Sequence, residues 1–231
     1  MENSYILHIE TATPVCSVAL SLNGEIIALK EANEQNLHAT HLTQFIAKVM
    51  ELAGVELSAL NAVAVSQGPG SYTGLRIGVS TAKGLCYALD VPLIAVPTLD
   101  AMVQGFLGKN QGEAYNVLFP MIDARRMEVY TASYDIQGKP LSSTVAKIVD
   151  ETSFEQWSGQ QVVLFGSGAD KFSELFQQTP YVTVHPAFVA SAAFLSSIAF
   201  QKFQAKDFED VIYFEPFYLK DFIPTTPKKR V

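Results

Sequence analysis

A short apolar run at 61–66 enters Gly68-Pro69-Gly70-Ser71-Tyr72-Thr73-Gly74, and a helical pattern follows over 75–89. Glycines between a strand and a helix let backbone N–H groups close on an anion, and the helix N-terminus adds partial positive charge. Gly68, Gly70, Ser71, Thr73 and Arg76 are therefore candidate anion or nucleotide contacts. The spacing is neither the Gly-Lys-Ser/Thr of a P-loop nor the dinucleotide fingerprint, so the same glycines equally suit a tight turn with close helix packing. Gly74, Gly78 and Ala82 recur every fourth residue on one helix face, where small residues let a neighbour approach; that neighbour is either the core or a partner.

Carboxylates mark a second kind of chemistry. Glu10, followed by Thr11, and Asp123 each stand at a bend after an apolar strand, where a carboxylate holds hydrated magnesium beside phosphates or simply ends a strand. His38 and His41 lie three apart at a helix start, with no third metal ligand nearby in sequence, and read as surface or capping histidines. Arg76, Arg125 and Arg126 are anion contacts, partner contacts or surface salt-bridge residues. Cys16 and Cys86 have apolar neighbours and are expected as buried reduced thiols. No Gly-x-Ser-x-Gly elbow or His-Glu-x-x-His pair is present, so hydrolysis has no self-sufficient motif.

The elements that must position these groups repeat. Strands over 5–9 and 15–22 with an Asn23-Gly24 turn make a β-meander. A helix follows over 42–52, with Leu42, Phe45 and Val49 on its apolar face and Gly54 as its stop. The second half repeats the plan with strands at 115–122 and 127–134, a Gln137-Gly138 turn, and a strand at 161–165 entering Gly166-Ser167-Gly168 and a helix over 169–176. The intervals from Ile9 to Ile122 and from Gly24 to Gly138 nearly match, whereas Gly68 to Gly166 is shorter, so the second copy has a shorter middle. These observations predict an α/β chain with a duplicated actin-like fold of the ribonuclease H type: two lobes, each a mixed sheet with packed helices, and a cleft between them. The lobes are expected at 1–103 and 104–207, with Thr98 capping a connecting helix. A last helix over 191–205 precedes an aromatic tail at 208–231 that packs back on the body, leaving Pro227-Lys228-Lys229-Arg230 loose.

With 231 residues, 48% of them hydrophobic, the chain can build substantial cores. A net charge of −7 argues against tight independent binding to a phosphate backbone. Polar Glu2, Asn3 and Ser4 after Met1, with no signal-like or membrane-spanning stretch, lead us to expect a cytoplasmic protein.

Three stretches together closely resemble the TsaB family: Ile9-Glu10-Thr11, the run from Gln67 through Gly74-Leu75-Arg76-Ile77-Gly78, and Ile122-Asp123-Ala124-Arg125-Arg126-Met127-Glu128-Val129-Tyr130. Fainter echoes at Gly166-Ser167-Gly168-Ala169 and Pro216-Phe217-Tyr218-Leu219-Lys220 extend the resemblance over nearly the whole chain. It implies a supporting role in placing the threonylcarbamoyl group on the adenosine beside the anticodon of tRNAs that read codons beginning with A. In that family's pathway, TsaC makes the threonylcarbamoyl adenylate, the paralogous actin-like TsaD transfers the group, and TsaE contributes an ATPase. TsaB joins TsaD and TsaE.

The resemblance further implies a heterodimer with TsaD, a homodimer when alone, and tRNA contact only through partners. It implies no tightly bound cofactor or metal, with ATP or ADP held weakly or at a composite site. The partner surface would use the first two helices, hence Leu42, Phe45, Val49, Gly74, Gly78 and Ala82. TsaD-like chains carry a His-x-x-x-His metal pair and acidic residues after Glu-Thr-Ser; here Ala12-Thr13-Pro14 follows, so Glu10, Thr11 and Asp123 are expected as a vestigial cleft with no catalytic residue. Many family members read His-Ser-Glu where this chain has His38-Ala39-Thr40. The competing expectation is an actin-like ATPase, or a metallopeptidase of the glycoprotease type, with its own activity.

Overall fold

The computed structural model describes residues 3–33, 37–110 and 114–220. The N-terminal sheet begins with a meander, β1 (Tyr5–Glu10), β2 (Cys16–Leu22) and β3 (Glu25–Ala32), turned at Asn23 and Gly24, both with positive φ as a tight hairpin requires. After α1 (Leu37–Ala53), the strands β4 (Ala62–Gly68) and β5 (Leu93–Pro97) add in parallel beside β1, giving the order β3-β2-β1-β4-β5. The C-terminal sheet repeats that order with β6 (Val117–Asp123), β7 (Glu128–Thr131), β8 (Val145–Ile148), β9 (Val162–Phe165) and β10 (Val182–His185): β8-β7-β6-β9-β10, antiparallel then parallel. This is the duplicated actin-like architecture expected from the sequence, with Glu10 and Asp123 closing equivalent strands.

The shorter middle of the second copy has a structural cause. Between β3 and β4 the chain builds the 17-residue helix α1, whereas between β8 and β9 it builds only a 3-10 turn, Glu155–Trp157. The helix expected over 169–176 is likewise a 3-10 turn, Asp170–Phe172, followed by tight turns. Phe172 and Phe176 bury as a helical spacing would have them do, but bonds such as Phe172 N–H to Ala169 O close three-residue turns there.

Helix α1 ends where Gly54 takes φ +65° and Val55 N–H reaches back to Met50 O, a Schellman closure. α2 (Tyr72–Leu89) ends the same way with Asp90 as the left-handed residue, Val91 N–H reaching Cys86 O. Both helices bury Leu42, Phe45, Val49, Val79 and Ala82 against Leu7, Ile9 and Val65 of the sheet.

The opposite face is covered by chain from later in the sequence. α3 (Thr98–Lys109) runs across positions 103 and 104, sending Ala101 to the N-terminal sheet and Met102, Val103 and Phe106 to the C-terminal one. The segment expected as one helix over 191–205 is a 3-10 turn, Ala192–Leu195, leading into α4 (Ser196–Ala205). It returns to the first lobe: Leu195 and Ala199 pack on Ile6, Ala62 and Ile94, and Ser196 Oγ donates to the Gly24 carbonyl at 2.7 Å. The tail beyond 208 lies on the body as far as Lys220; Phe222 and Pro227-Lys228-Lys229-Arg230 fall outside the described residues. Among the described residues no helix is long and apolar enough to cross a membrane.

Candidate functional site

The turn after β1, residues 11–14, and the glycine turn before α2 meet at the mouth of the first lobe. Ser71 N–H donates to Ala12 O at 2.7 Å, and Thr11 Oγ1 donates to Gly74 O at 2.8 Å. A Cβ on Gly70 would come within 2.4 Å of Ala12 O, one on Gly74 within 2.1 Å of Thr11 O, and one on Gly78 within 2.2 Å of Thr11 Oγ1. The glycines therefore admit the chain's own 11–12 segment, the close packing that their spacing allows. Gly68 answers a second demand: its φ is +113°, and its N–H donates to Thr98 Oγ1 at 3.1 Å. Thr98 thus does not cap α3, whose N-cap position is Pro97, because its hydroxyl is committed to the glycine turn.

Ser71 is the N-cap of α2, its Oγ accepting from Gly74 N–H at 3.2 Å. Arg76 is exposed and lies over the Tyr72 ring at 4.6 Å; of the five candidate anion contacts, Gly70, Ser71 and Thr73 line the cleft, whereas Gly68 and Arg76 do not. Gly74, Gly78 and Ala82 are buried, as are Leu42, Phe45 and Val49. These six residues, expected at a partner surface, are interior contacts of the first lobe. The outward faces of α1 and α2 instead present Ala47, Leu52, Ser80, Gly84 and Tyr87, the last 85% exposed.

Between the lobes lies a cavity of about 700 Å³, lined on one side by Thr13, Pro14, His38 and Ser71 and on the other by Asp123, Arg125 and Ser167. Glu10 sits behind its floor, 1% exposed, with Oε1 accepting Ala12 N–H at 2.6 Å. Burial outweighs that hydrogen bond and lifts its carboxyl to about 7, a direction set by the lost hydration of the charged form. Asp123 is half-exposed, yet its Oδ1 already accepts from Lys171 Nζ at 2.5 Å and from Arg125 N–H at 3.2 Å. The carboxylates at the two strand ends are thus both engaged inside the chain. Arg126 is exposed and, like Arg125, has a positive φ in the β6–β7 turn.

The histidines do not form a pair. His38 Nε2 donates to Thr13 O at 2.9 Å, while His41 Nδ1 meets Thr40 Oγ1 at 2.6 Å and packs by Phe45. No group of three His, Cys, Asp or Glu poised for a metal occurs among the described residues. Cys16 and Cys86 are buried free thiols, raised to about 11 and about 12 by burial. Thr13, which the sequence marks only as part of the Ala12-Thr13-Pro14 departure, is 3% exposed, lines the cleft, and its Oγ1 has no hydrogen-bond partner. With Ser71, Thr73 and Arg125 it is what the cleft offers to a phosphate-bearing ligand. Tyr218 and Lys220, also part of the cleft wall, come from a tail whose sequence signalled only packing.

Comparison with known proteins agrees with this geometry. Residues 26–226 match the family model described as TsaD: tRNA N6-adenosine threonylcarbamoyltransferase. The chain is 33% identical over 223 residues to the tRNA threonylcarbamoyladenosine biosynthesis protein TsaB of Escherichia coli, covering 94% of each. It superposes on YeaZ from Pseudomonas aeruginosa with a TM-score of 0.75 at 29% identity, covering 94% of this chain and 100% of that one. An activator of 2-hydroxyisocaproyl-CoA dehydratase from Clostridium difficile, at 10% identity and a TM-score of 0.51 over 90% of this chain and 99% of that one, shares the fold alone. From the duplicated lobes, the glycine turn and these matches, the chain belongs to the TsaB family.

Proposed function

We propose that this chain takes part in tRNA threonylcarbamoyladenosine synthesis as a non-catalytic partner subunit, docking TsaD and working with TsaE, while TsaC supplies the threonylcarbamoyl adenylate. Family membership supports the pathway. The observation that carries the non-catalytic part is the fate of the two cleft carboxylates: Glu10 turns back to Ala12 N–H, and Asp123 is neutralised by Lys171. Lys171 already offsets the Asp123 charge through Oδ1, and Glu10 is buried behind the cleft floor, so neither is the unpaired, exposed carboxylate that recruits hydrated magnesium. The outward faces of α1 and α2, with small Ala47, Ser80 and Gly84 beside Leu52 and Tyr87, suit helix-on-helix docking of a partner of the same fold, or of a second copy when TsaD is absent.

One observation favours the enzymatic alternative: a carboxyl held near 7 is a recurrent property of general acids and bases. Reconstituted tRNA threonylcarbamoylation with TsaC, TsaD, TsaE, ATP, threonine and bicarbonate separates the readings. Modification should need this chain in the full mixture, and the chain alone should neither modify tRNA nor turn over ATP. Turnover by the lone chain that Glu10→Ala abolishes would overturn the partner reading.

A further inference from the structure

After α4 the chain runs back across the first lobe. Glu209 N–H bonds Leu93 O at 2.9 Å along β5, and Lys83 Nζ on α2 donates to the carbonyls of Ile212 and Phe214 at 3.1 and 3.0 Å. The Phe214 side chain joins the core beneath α1 and α2. Phe217 N–H then donates to Gln67 O at 2.7 Å, and its carbonyl lies so close over Gly68 that a Cβ there would come within 2.6 Å. Tyr218 packs on Tyr72 with ring centroids 4.7 Å apart and planes tilted by 38°. Lys220 pairs with Glu128 of β7 in the second lobe. The segment therefore passes over the glycine turn, covers the start of α2 and bridges the lobes.

Its two ends are held unequally. Up to Phe217 the attachment is hydrogen bonds to the backbone and core packing, whereas the far end is held by the Tyr218–Tyr72 ring contact and an ion pair whose side chains are 43% and 22% exposed. Exposed ion pairs move an equilibrium by only about two- to fivefold, so that end opens readily. A firm anchor with a weak clasp is the construction of a gate.

We infer that residues 218–220, anchored at Phe217, form a displaceable strap that fills one end of the interlobe cleft and clasps the lobes together. Anything that reaches the glycine turn from that side must first lift Tyr218 from Tyr72 and part Lys220 from Glu128. This holds whether the chain acts alone or in a complex.

Hydrogen exchange on the full-length chain tests it, comparing Lys220→Ala, Glu128→Gln, Tyr218→Ala and the Tyr218→Ala/Lys220→Ala double variant in low and high salt. Amides of the glycine turn and of residues 123–128 should exchange about two- to fivefold faster in Lys220→Ala and Glu128→Gln, and about tenfold faster in the double variant. High salt should move the native chain toward Lys220→Ala and shift that variant less, its remaining salt response coming from the Lys171–Asp123 pair. Acceleration confined to residues 208–220, or none, overturns the strap. Should the double variant fail to fold, the single surface variants and the salt comparison still decide.

Discussion

Replacing Gly78 with alanine tests the idea that the small-residue face of α2 is an internal seat for Thr11. In an unobstructed helix the change would stabilise by up to about 1 kcal/mol through helix propensity. Here the new Cβ would lie 2.2 Å from Thr11 Oγ1, a distance no packed pair tolerates, so Thr11 must swing away. That breaks its 2.8 Å bond to Gly74 O and strains the turn, costs of about 1–3 kcal/mol each for an unsatisfied buried group and an overpacked contact. The net expectation is a loss of roughly 1–5 kcal/mol, read as a lower urea midpoint at unchanged slope. In a Thr11→Ala background the same substitution meets only Thr11 Cβ at 3.4 Å, an ordinary contact, and should be neutral or mildly stabilising. The double-mutant cycle should therefore show coupling of about 2 kcal/mol. Gly74→Ala supplies the control: its obstacle is the Thr11 carbonyl at 2.1 Å, which Thr11→Ala leaves in place, so no rescue is expected. Additive losses for Thr11 and Gly78, or equal rescue at Gly74, would refute the seat.

Glu10→Gln should change the pH dependence of stability. Because burial raises the folded carboxyl from the ordinary 4.5 to about 7, the folded chain holds the extra proton in that window, and stability falls as pH rises through it. The amide variant should escape this loss and be more stable above pH 7 by on the order of 3 kcal/mol, with no gain near pH 4, as thermal melts across pH would show. His8, depressed to about 3 by burial, gives the opposite slope, its contribution being lost as pH falls from 6.5; it offsets the Glu10 slope between about 4.5 and 6.5, so Glu10→Gln should rise more steeply in stability with pH there than the native chain. Gly84 faces open space, so Gly84→Ala should stabilise by about 0.5–1 kcal/mol in denaturant titrations. Gly84→Arg should leave the fold intact and weaken co-purification with TsaD; unimpaired assembly would move the docking surface elsewhere.

The periodic parts of the chain were legible: the meanders, both N-terminal-lobe helices and the repeat itself follow from apolar spacing and turn residues. What escaped depends on distance in space. The i, i+4 spacing of Phe172 and Phe176 reads as helix, but successive tight turns satisfy the same burial. Thr98 has the residue type and position of a cap, and only the fold reveals the nearer claim of Gly68 N–H. The face of Gly74, Gly78 and Ala82 was correctly marked as a place of close approach, but sequence carries no label for whose backbone approaches. Nor does it show that Tyr218 will reach Tyr72 across the cleft mouth.

Both lobes solve one geometric problem with glycine. In the first, the turn after β4 must pass the end of β1 and does so at Gly70 and Gly74; in the second, the turn after β9 must pass the end of β6, and Cβ atoms on Gly166 and Gly168 would come within 2.4 Å of Met121 O and 2.8–2.9 Å of Val129, Asp123 and Ile122 atoms. In both lobes of this chain a strand end and the next glycine turn converge. The crossing itself therefore requires glycine, and a glycine-rich turn in such a lobe is evidence for the fold before it is evidence for phosphate. Whether phosphate could follow depends on the residues flanking the crossing. In this chain Ala12 O occupies the approach to Gly70, Lys171 pairs with Asp123, and Phe217 O occupies the approach to Gly68. The lobes keep their shape through those internal contacts, which leaves the outward faces of α1 and α2 available for assembly.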